Sequence, residues 1–274
     1  MATDPVRPDD AGIRVALGLQ YCGSGYCGWQ SQPGGCGVQD RLEGAIARFL
    51  GAAVRTTCAG RTDAGVHAVG QVVHLDSTLR REEFSWVRGV NAYLPPDIAV
   101  QWARELPKTF DARRSAVQRR YRYLLRNHPV RPALEHGRVG WTHRPLDIDR
   151  MRGAAVRCLV GERDFSAFRS SECQAASPVK TLHDVRIAQQ GAYVVFDFRA
   201  NAFLHHMVRN LVGSLIAVGS GAKGEDWLAA VVAGRDRKLA APTFMPDGLY
   251  FVGPDYPPEF ALPAATAALV GVGA

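Results

Sequence analysis

CAGRTDAGVHA, residues 58–68, is the stretch on which the reading of this chain turns. The VRTT before it has the β-branched composition of a strand, and the VGQVVHL that follows it reads as another. Between them Arg61, Asp63 and His67 are spaced by glycines and small residues, with none of the dipeptides that close a two-residue hairpin. Asp63 in such a loop is a nucleophile, a general base, a metal ligand or a turn former. A metal would need further ligands close by, and His67 alone does not supply them. The bland alternative is an Asx-turn. Two features weigh against it: the loop lacks apolar side chains to pack it down, and a basic, tyrosine-bearing segment comes later in the chain.

That segment is RSAVQRRYRYLLR, residues 114–126, which interleaves five arginines with two tyrosines. Guanidinium groups pair with phosphates and tyrosine rings stack on bases, so the mixture suits RNA, while a solvated strand face would read the same way. A net charge of +7 points the same way, towards a polyanionic partner. No apolar run reaches membrane-spanning length. MATDPVRPDD at the N-terminus has no apolar core of a secretory signal, so a cytoplasmic protein is expected, and its six cysteines are expected as reduced thiols.

Periodicity supplies the architecture. IRVALGLQY (13–21) alternates as a half-buried strand, and VQDRLEGAIARFL (38–50) has helical spacing. Strands near 53–60 and 69–76 follow. A helix around 82–92 stops at Leu94-Pro95-Pro96, and the strand DIAVQWARE completes β-α-β-β-α-β. The second half repeats the order. RYRYLLRN is a strand, LDIDRMRGAAVRCLVG a helix, and a hairpin turns at Gln190-Gly191. NAFLHHMVRNLVGSLIAVGSG reads as a long helix, a short helix follows it, and GLYFVGPDYP closes as a strand. The expected fold is α+β: two β-α-β-β-α-β (split βαβ) halves with antiparallel sheets backed by helices. The expected divisions are a tail at 1–12, a domain at 13–110 carrying the Asp63 loop, a second domain at 111–260 and a tail at 261–274. GSGYCG (23–28) fits GxGxxG after a strand, but WQSQPGG follows it and delays any helix to about residue 38. A dinucleotide site is therefore not expected.

CAGRTDAGVHAVGQV resembles the active-site motif of the TruA family of tRNA pseudouridine synthases. YCGSGYCGWQSQP, VQDRLE, NAYLPPDI, FDARRSAVQRRYRY, GERDFSAF, NAFLHHMVRNLVGSL and GLYFVGPDYP resemble family segments in family order, over about residues 13–260. Cys22, Gly37 and Asp111 depart from the usual pattern, where Asp, a small hydroxyl residue and His are frequent. The resemblance implies an isomerase that turns uridine into pseudouridine at positions 38, 39 and 40 of the tRNA anticodon stem-loop. It needs no cofactor and no metal, and works as a homodimer whose two subunits both touch each anticodon arm.

By the same resemblance Asp63 is the catalytic carboxylate, attacking the ribose C1′ or assisting cleavage by deprotonation. Arg61 helps hold the vacated space or the displaced nucleotide. Tyr121 stacks on the uracil and handles the C5 proton, and Leu249 is an apolar wall against the base. Arg209 lies off the apolar stripe of Leu204, Val208, Leu211 and Leu215 and is expected to pair with Asp63, keeping it charged. Arg119, Arg120 and Arg122 are expected on the RNA backbone. His67, His205 and His206 are expected to be structural or RNA-contacting rather than catalytic. The rival readings are a non-catalytic RNA-binding protein using the same basic sheet surface, and a hydrolase pairing Asp63 with His67.

Overall fold

The structure is a computed structural model that describes residues 12–263. Of the two expected tails, residues 1–11 and 264–274 lie outside the described residues.

The first half runs β1 (Ile13–Tyr21), α1 (Val38–Leu50), β2 (Thr57–Cys58), β3 (His67–Ser77), α2 (Glu83–Asn91) and β4 (Ile98–Leu106). The second runs β5 (Gln118–Asn127), β6 (Gly140–Thr142), α3 (Ile148–Leu159), β7 (Gly161–Asp164), β8 (Val179–Gln190) and β9 (Tyr193–Ala200), then α4 (Met207–Gly219), α5 (Glu225–Gly234) and β10 (Leu249–Asp255). The strands form one sheet in the order β4-β1-β3-β10-β5-β9-β8-β7, with β2 on β3 and β6 on β5. Its pairs are antiparallel except β10 with β3 and β5 with β6. The expected α+β architecture is therefore present, with the two halves' sheets joined into one.

β10 makes the join. Although last in the chain, it lies between β3 of the first half and β5 of the second, pairing Phe251 with Ala68 on one side and with Tyr121 on the other. The start of β3, directly after the Asp63 loop, is thus two strands from Tyr121. Two cores fill the helical side. Leu17, Trp29, Leu42, Ile46 and Trp86 belong to one, and Leu159, Phe168, Phe196, Leu211 and Leu215 to the other. Tyr121 packs against both, at the seam between them.

Two expected elements are shorter than the sequence suggested. The strand near 53–60 reduces to Thr57–Cys58, because Glu43 of α1 takes both the amide (2.8 Å) and the hydroxyl (2.9 Å) of Thr56 away from the sheet. The long helix expected over 201–221 begins only at Met207. His206 sits at φ 63, ψ 2, and a left-handed residue cannot continue a right-handed helix. The apolar run Ala202–Leu204 imitates helical spacing in a segment that is not helical.

Candidate active site

The Asp63 loop is rigid because other segments hold its main chain. Trp29 donates its amide to the Thr62 carbonyl (3.0 Å), Val66 to that of Asp63 (3.1 Å), and Gln71 its side-chain amide to Gly60 (2.7 Å). Thr62 is buried, with its hydroxyl 2.8 Å from that of Tyr21, and Ala59 and Val66 are buried as well. This corrects the expectation that nothing apolar packs the loop down. The glycine-rich segment 23–28 is the loop's other wall. A Cβ on Gly23 would meet the Val66 carbonyl at 2.0 Å, and one on Gly28, at φ 96, the Thr62 carbonyl at 2.7 Å. Only glycine lets the two backbones come this close.

So held, Asp63 meets three basic side chains from the residues leading into α4 and from its first turn. His205 Nε2 lies 3.3 Å from Oδ1, His206 Nε2 3.5 Å from Oδ2, and Arg209 Nη1 donates to Oδ2 at 3.3 Å. Arg209 is itself fixed, its Nε donating to the Phe244 carbonyl at 2.8 Å. Burial works to raise the Asp63 carboxyl, but the hydrogen bond with His205 and the charges of His206, His205 and Arg209 outweigh it, and the group is held below its ordinary range. His205 is raised by its hydrogen bond to Asp63 against the effect of burial, whereas burial drives His206 down. Asp63, His205 and His206 are also grouped closely enough to offer three metal-ligand atoms. The Arg209 cation on the same carboxylate works against a second cation there.

Tyr121 lies close enough to this cluster for the charge of Asp63 to act on its phenol. Its ring is 5.0 Å from those of Phe203 and Phe251, and its hydroxyl makes no hydrogen bond among the described residues. Burial, then the Asp63 charge, pushes the phenol far above its ordinary value, so it stays protonated. Leu249 lies two residues from Phe251 on the same strand and is buried in the second core. Arg61 is exposed, with Nη1 3.5 Å from Gln174 Oε1 in the segment that also places His205. His67 is structural: Nδ1 accepts from the Gly23 amide (3.0 Å), and Nε2 lies 3.1 Å from the Asp247 carbonyl.

The three arginines expected on RNA are engaged inside the protein. Arg119 donates to the carbonyls of Ala59 (3.3 Å), Ala116 (3.2 Å), Asn201 (3.0 Å) and Arg113. It thereby ties the start of the Asp63 loop to the segment leading into His205. Arg120 pairs with Asp255 (3.1 Å), and Arg122 forks onto Asp197 (2.7 and 3.0 Å), both from the face away from Tyr121. Two of the six cysteines are not free thiols: Cys27 and Cys36 form a disulfide, which closes the segment holding the Asp63 loop. The sequence missed His205 and His206 as neighbours of Asp63. The signal was their place three and four residues before Arg209, already expected at that carboxylate. Gly37 leaves no hydroxyl to cap α1, and a Cβ there would meet the Gln30 carbonyl at 2.4 Å. Asp40 instead accepts from the Gly37 amide at 2.9 Å.

A half-buried carboxylate kept ionised on a loop held by its neighbours, close to an aromatic ring at the seam of an α+β sheet, has the features of a candidate active site. The profile of the family described as tRNA pseudouridine synthase matches residues 19–113 and 155–257. A relative named tRNA pseudouridine synthase A from Methylibium petroleiphilum is 63% identical over 256 residues, spanning 93% of this chain and 98% of its own. Relatives of the same name from Burkholderia lata and Burkholderia vietnamiensis are 60% identical over 253 residues, spanning 92% of this chain and 93% of theirs. The chain belongs to the tRNA pseudouridine synthase family.

Proposed function

We propose that this chain isomerises uridine to pseudouridine in tRNA, at positions 38, 39 and 40 of the anticodon stem-loop, with Asp63 as the reacting carboxylate. The observation that carries the role of Asp63 is its convergence with Arg209, His205 and His206, which keeps a half-buried carboxylate charged. In the isomerisation the C1′–N1 bond breaks, the uracil turns, a C1′–C5 bond forms, and a proton leaves C5 while N1 gains one. The reaction is redox-neutral. Asp63 either attacks C1′ or assists cleavage as a base, and its negative charge serves both routes.

A base in a stacked stem must be drawn out before a side chain can reach it. Arg61, exposed at the rim, is suited to the vacated space, and Tyr121 to stacking against the uracil and relaying the C5 proton. Phe203 and Phe251 stand beside that ring, with Leu249 behind as apolar wall. Two copies of the chain sharing one anticodon arm would present more surface than one cleft, so we expect a homodimer acting in the cytoplasm; among the described residues no helix is long and apolar enough to cross a membrane. The test is pseudouridine mapping in anticodon-arm transcripts incubated with purified protein. Pseudouridine at positions 38 to 40 supports the reading. Free uracil without pseudouridine would replace it with a hydrolase.

A further inference from the structure

A polar cavity of about 460 Å³ opens beside the Asp63 cluster, and His206, whose Nε2 is 3.5 Å from Asp63 Oδ2, is part of its lining. The side chains around it include Arg169, Arg237, Ser170, Ser171 and Asn210, and among the described residues no carboxylate lines it. Both guanidinium groups are fixed, yet only by neutral acceptors. Arg169 Nη2 donates to the carbonyls of Cys173 (2.6 Å) and Ala175 (2.8 Å). Arg237 donates to the Ala241 carbonyl (3.0 Å), Asn210 Oδ1 (3.1 Å) and Thr243 Oγ1 (3.0 Å). Neither forms an ion pair among the described residues. Asp164, two residues before Ser166 in the wall, is turned to the Ser166 amide and to Arg235.

Two immobilised positive charges with hydroxyls around them, and no salt-bridge partner among the described residues, make a concave site for an anion. His206 is held in the left-handed region at φ 63, a costly conformation for a residue other than glycine, and it is the residue that joins this cavity to the carboxylate. We propose that the cavity holds a backbone phosphate of the RNA next to the nucleotide drawn to Asp63. The proposal rests on the RNA-modifying reading above and adds to it a named place for the backbone. A nucleotide leaving its stack carries its flanking phosphates with it, and gripping one of them fixes the displaced conformation without reading the base.

Ser171 gives a clean test, because it is exposed, borders the cavity and makes no side-chain hydrogen bond among the described residues. Ser171→Glu brings a carboxylate to the cavity without breaking a hydrogen bond to another protein group among the described residues, and Ser171→Gln controls for size and for loss of the hydroxyl. For an anticodon-arm transcript, Ser171→Glu should raise KM about tenfold with kcat within about twofold of the wild type. The slope of log affinity against log salt should fall by about 0.7, the share of one phosphate on a single strand. Ser171→Gln, of similar size but uncharged, should raise KM by clearly less than Ser171→Glu and leave the salt slope closer to that of the wild type. A transcript with neutral methylphosphonate linkages beside the target should weaken the wild type by a similar factor and the Glu variant no further.

An unchanged KM and salt slope in Ser171→Glu would overturn the proposal. So would a loss confined to kcat, which would mean that the cavity acts through His206. Competition by inorganic phosphate with no methylphosphonate effect would make it a site for a free anion and overturn the RNA assignment. Wild-type turnover on the same transcript checks the functional reading separately, since the salt slope of RNA binding decides the cavity even without turnover.

Discussion

Arg209 reaches Asp63 with one arm while the other is anchored: Nη1 is 3.3 Å from Oδ2, and Nε donates to Phe244 at 2.8 Å. A lysine carries its three donors on one nitrogen and lacks the planar fork that serves these two acceptors from separate nitrogens in fixed directions. We expect Arg209→Lys and Arg209→Ala to lower kcat by about 10- to 100-fold, the equivalent of about 1.4–2.8 kcal/mol in the barrier, with tRNA affinity within a few-fold. Single-turnover kinetics alongside a binding assay check this. Weakened binding with normal turnover would make Arg209 a phosphate clamp.

The charges around Asp63 also fix how stability depends on pH. Its carboxyl is depressed in the folded protein, so its contribution is present above the ordinary carboxylate range and is lost as pH falls through the folded value. His205 is raised, so its contribution is complete below its ordinary value of 6.5 and is lost as pH rises through the folded value. The difference in Tm between wild type and Asp63→Asn, followed from about pH 3 to about pH 9, should therefore shrink at both ends. A difference that does not change with pH would mean that the cluster is not charged as described.

Arg119 is predicted to position the site and not to bind RNA. Its donors join Ala59, Arg113, Ala116 and Asn201, and burial works against its charge. Arg119→Lys should lower Tm by about 5 °C and reduce kcat, leaving the salt dependence of tRNA binding as it was. A flatter salt slope with an unchanged Tm would return it to the RNA backbone.

Much of this was readable in the sequence, and the remainder failed for identifiable reasons. The alternation of β1 and the helical spacing of α1 report local burial, and both elements lie where periodicity put them. Alternation in β5 separates Tyr121 from Arg120 and Arg122 by face, but it cannot name Asp197 and Asp255, which are distant in the chain. The glycines at 23 and 28 fit a dinucleotide fingerprint by spacing alone. Their actual service, close contact with the Asp63 loop, exists only between segments about forty residues apart. Cys27 and Cys36 carry no spacing signal. The apolar run before His205 concealed the turn that brings both histidines to Asp63.

Tyr121→Phe keeps the ring against Phe203 and Phe251 and removes a hydroxyl with no hydrogen-bonding partner among the described residues. Stability should change little and turnover should fall at least tenfold if the hydroxyl handles the C5 proton, or about 1.4 kcal/mol in the barrier. Thermal melts and pseudouridine formation distinguish the cases. Full activity in Tyr121→Phe together with a folded but inactive Tyr121→Leu would leave the tyrosine as a stacking surface only.

The central claim is that the negative charge of Asp63 carries the reaction. Asp63→Asn keeps the size of the side chain and removes the charge, so the most direct measurement is single-turnover pseudouridine formation by this variant on an anticodon-arm transcript, with RNA affinity measured on the same preparation. The account predicts no detectable pseudouridine and an affinity within a few-fold of the wild type. Substantial pseudouridine formation by folded Asp63→Asn would contradict it.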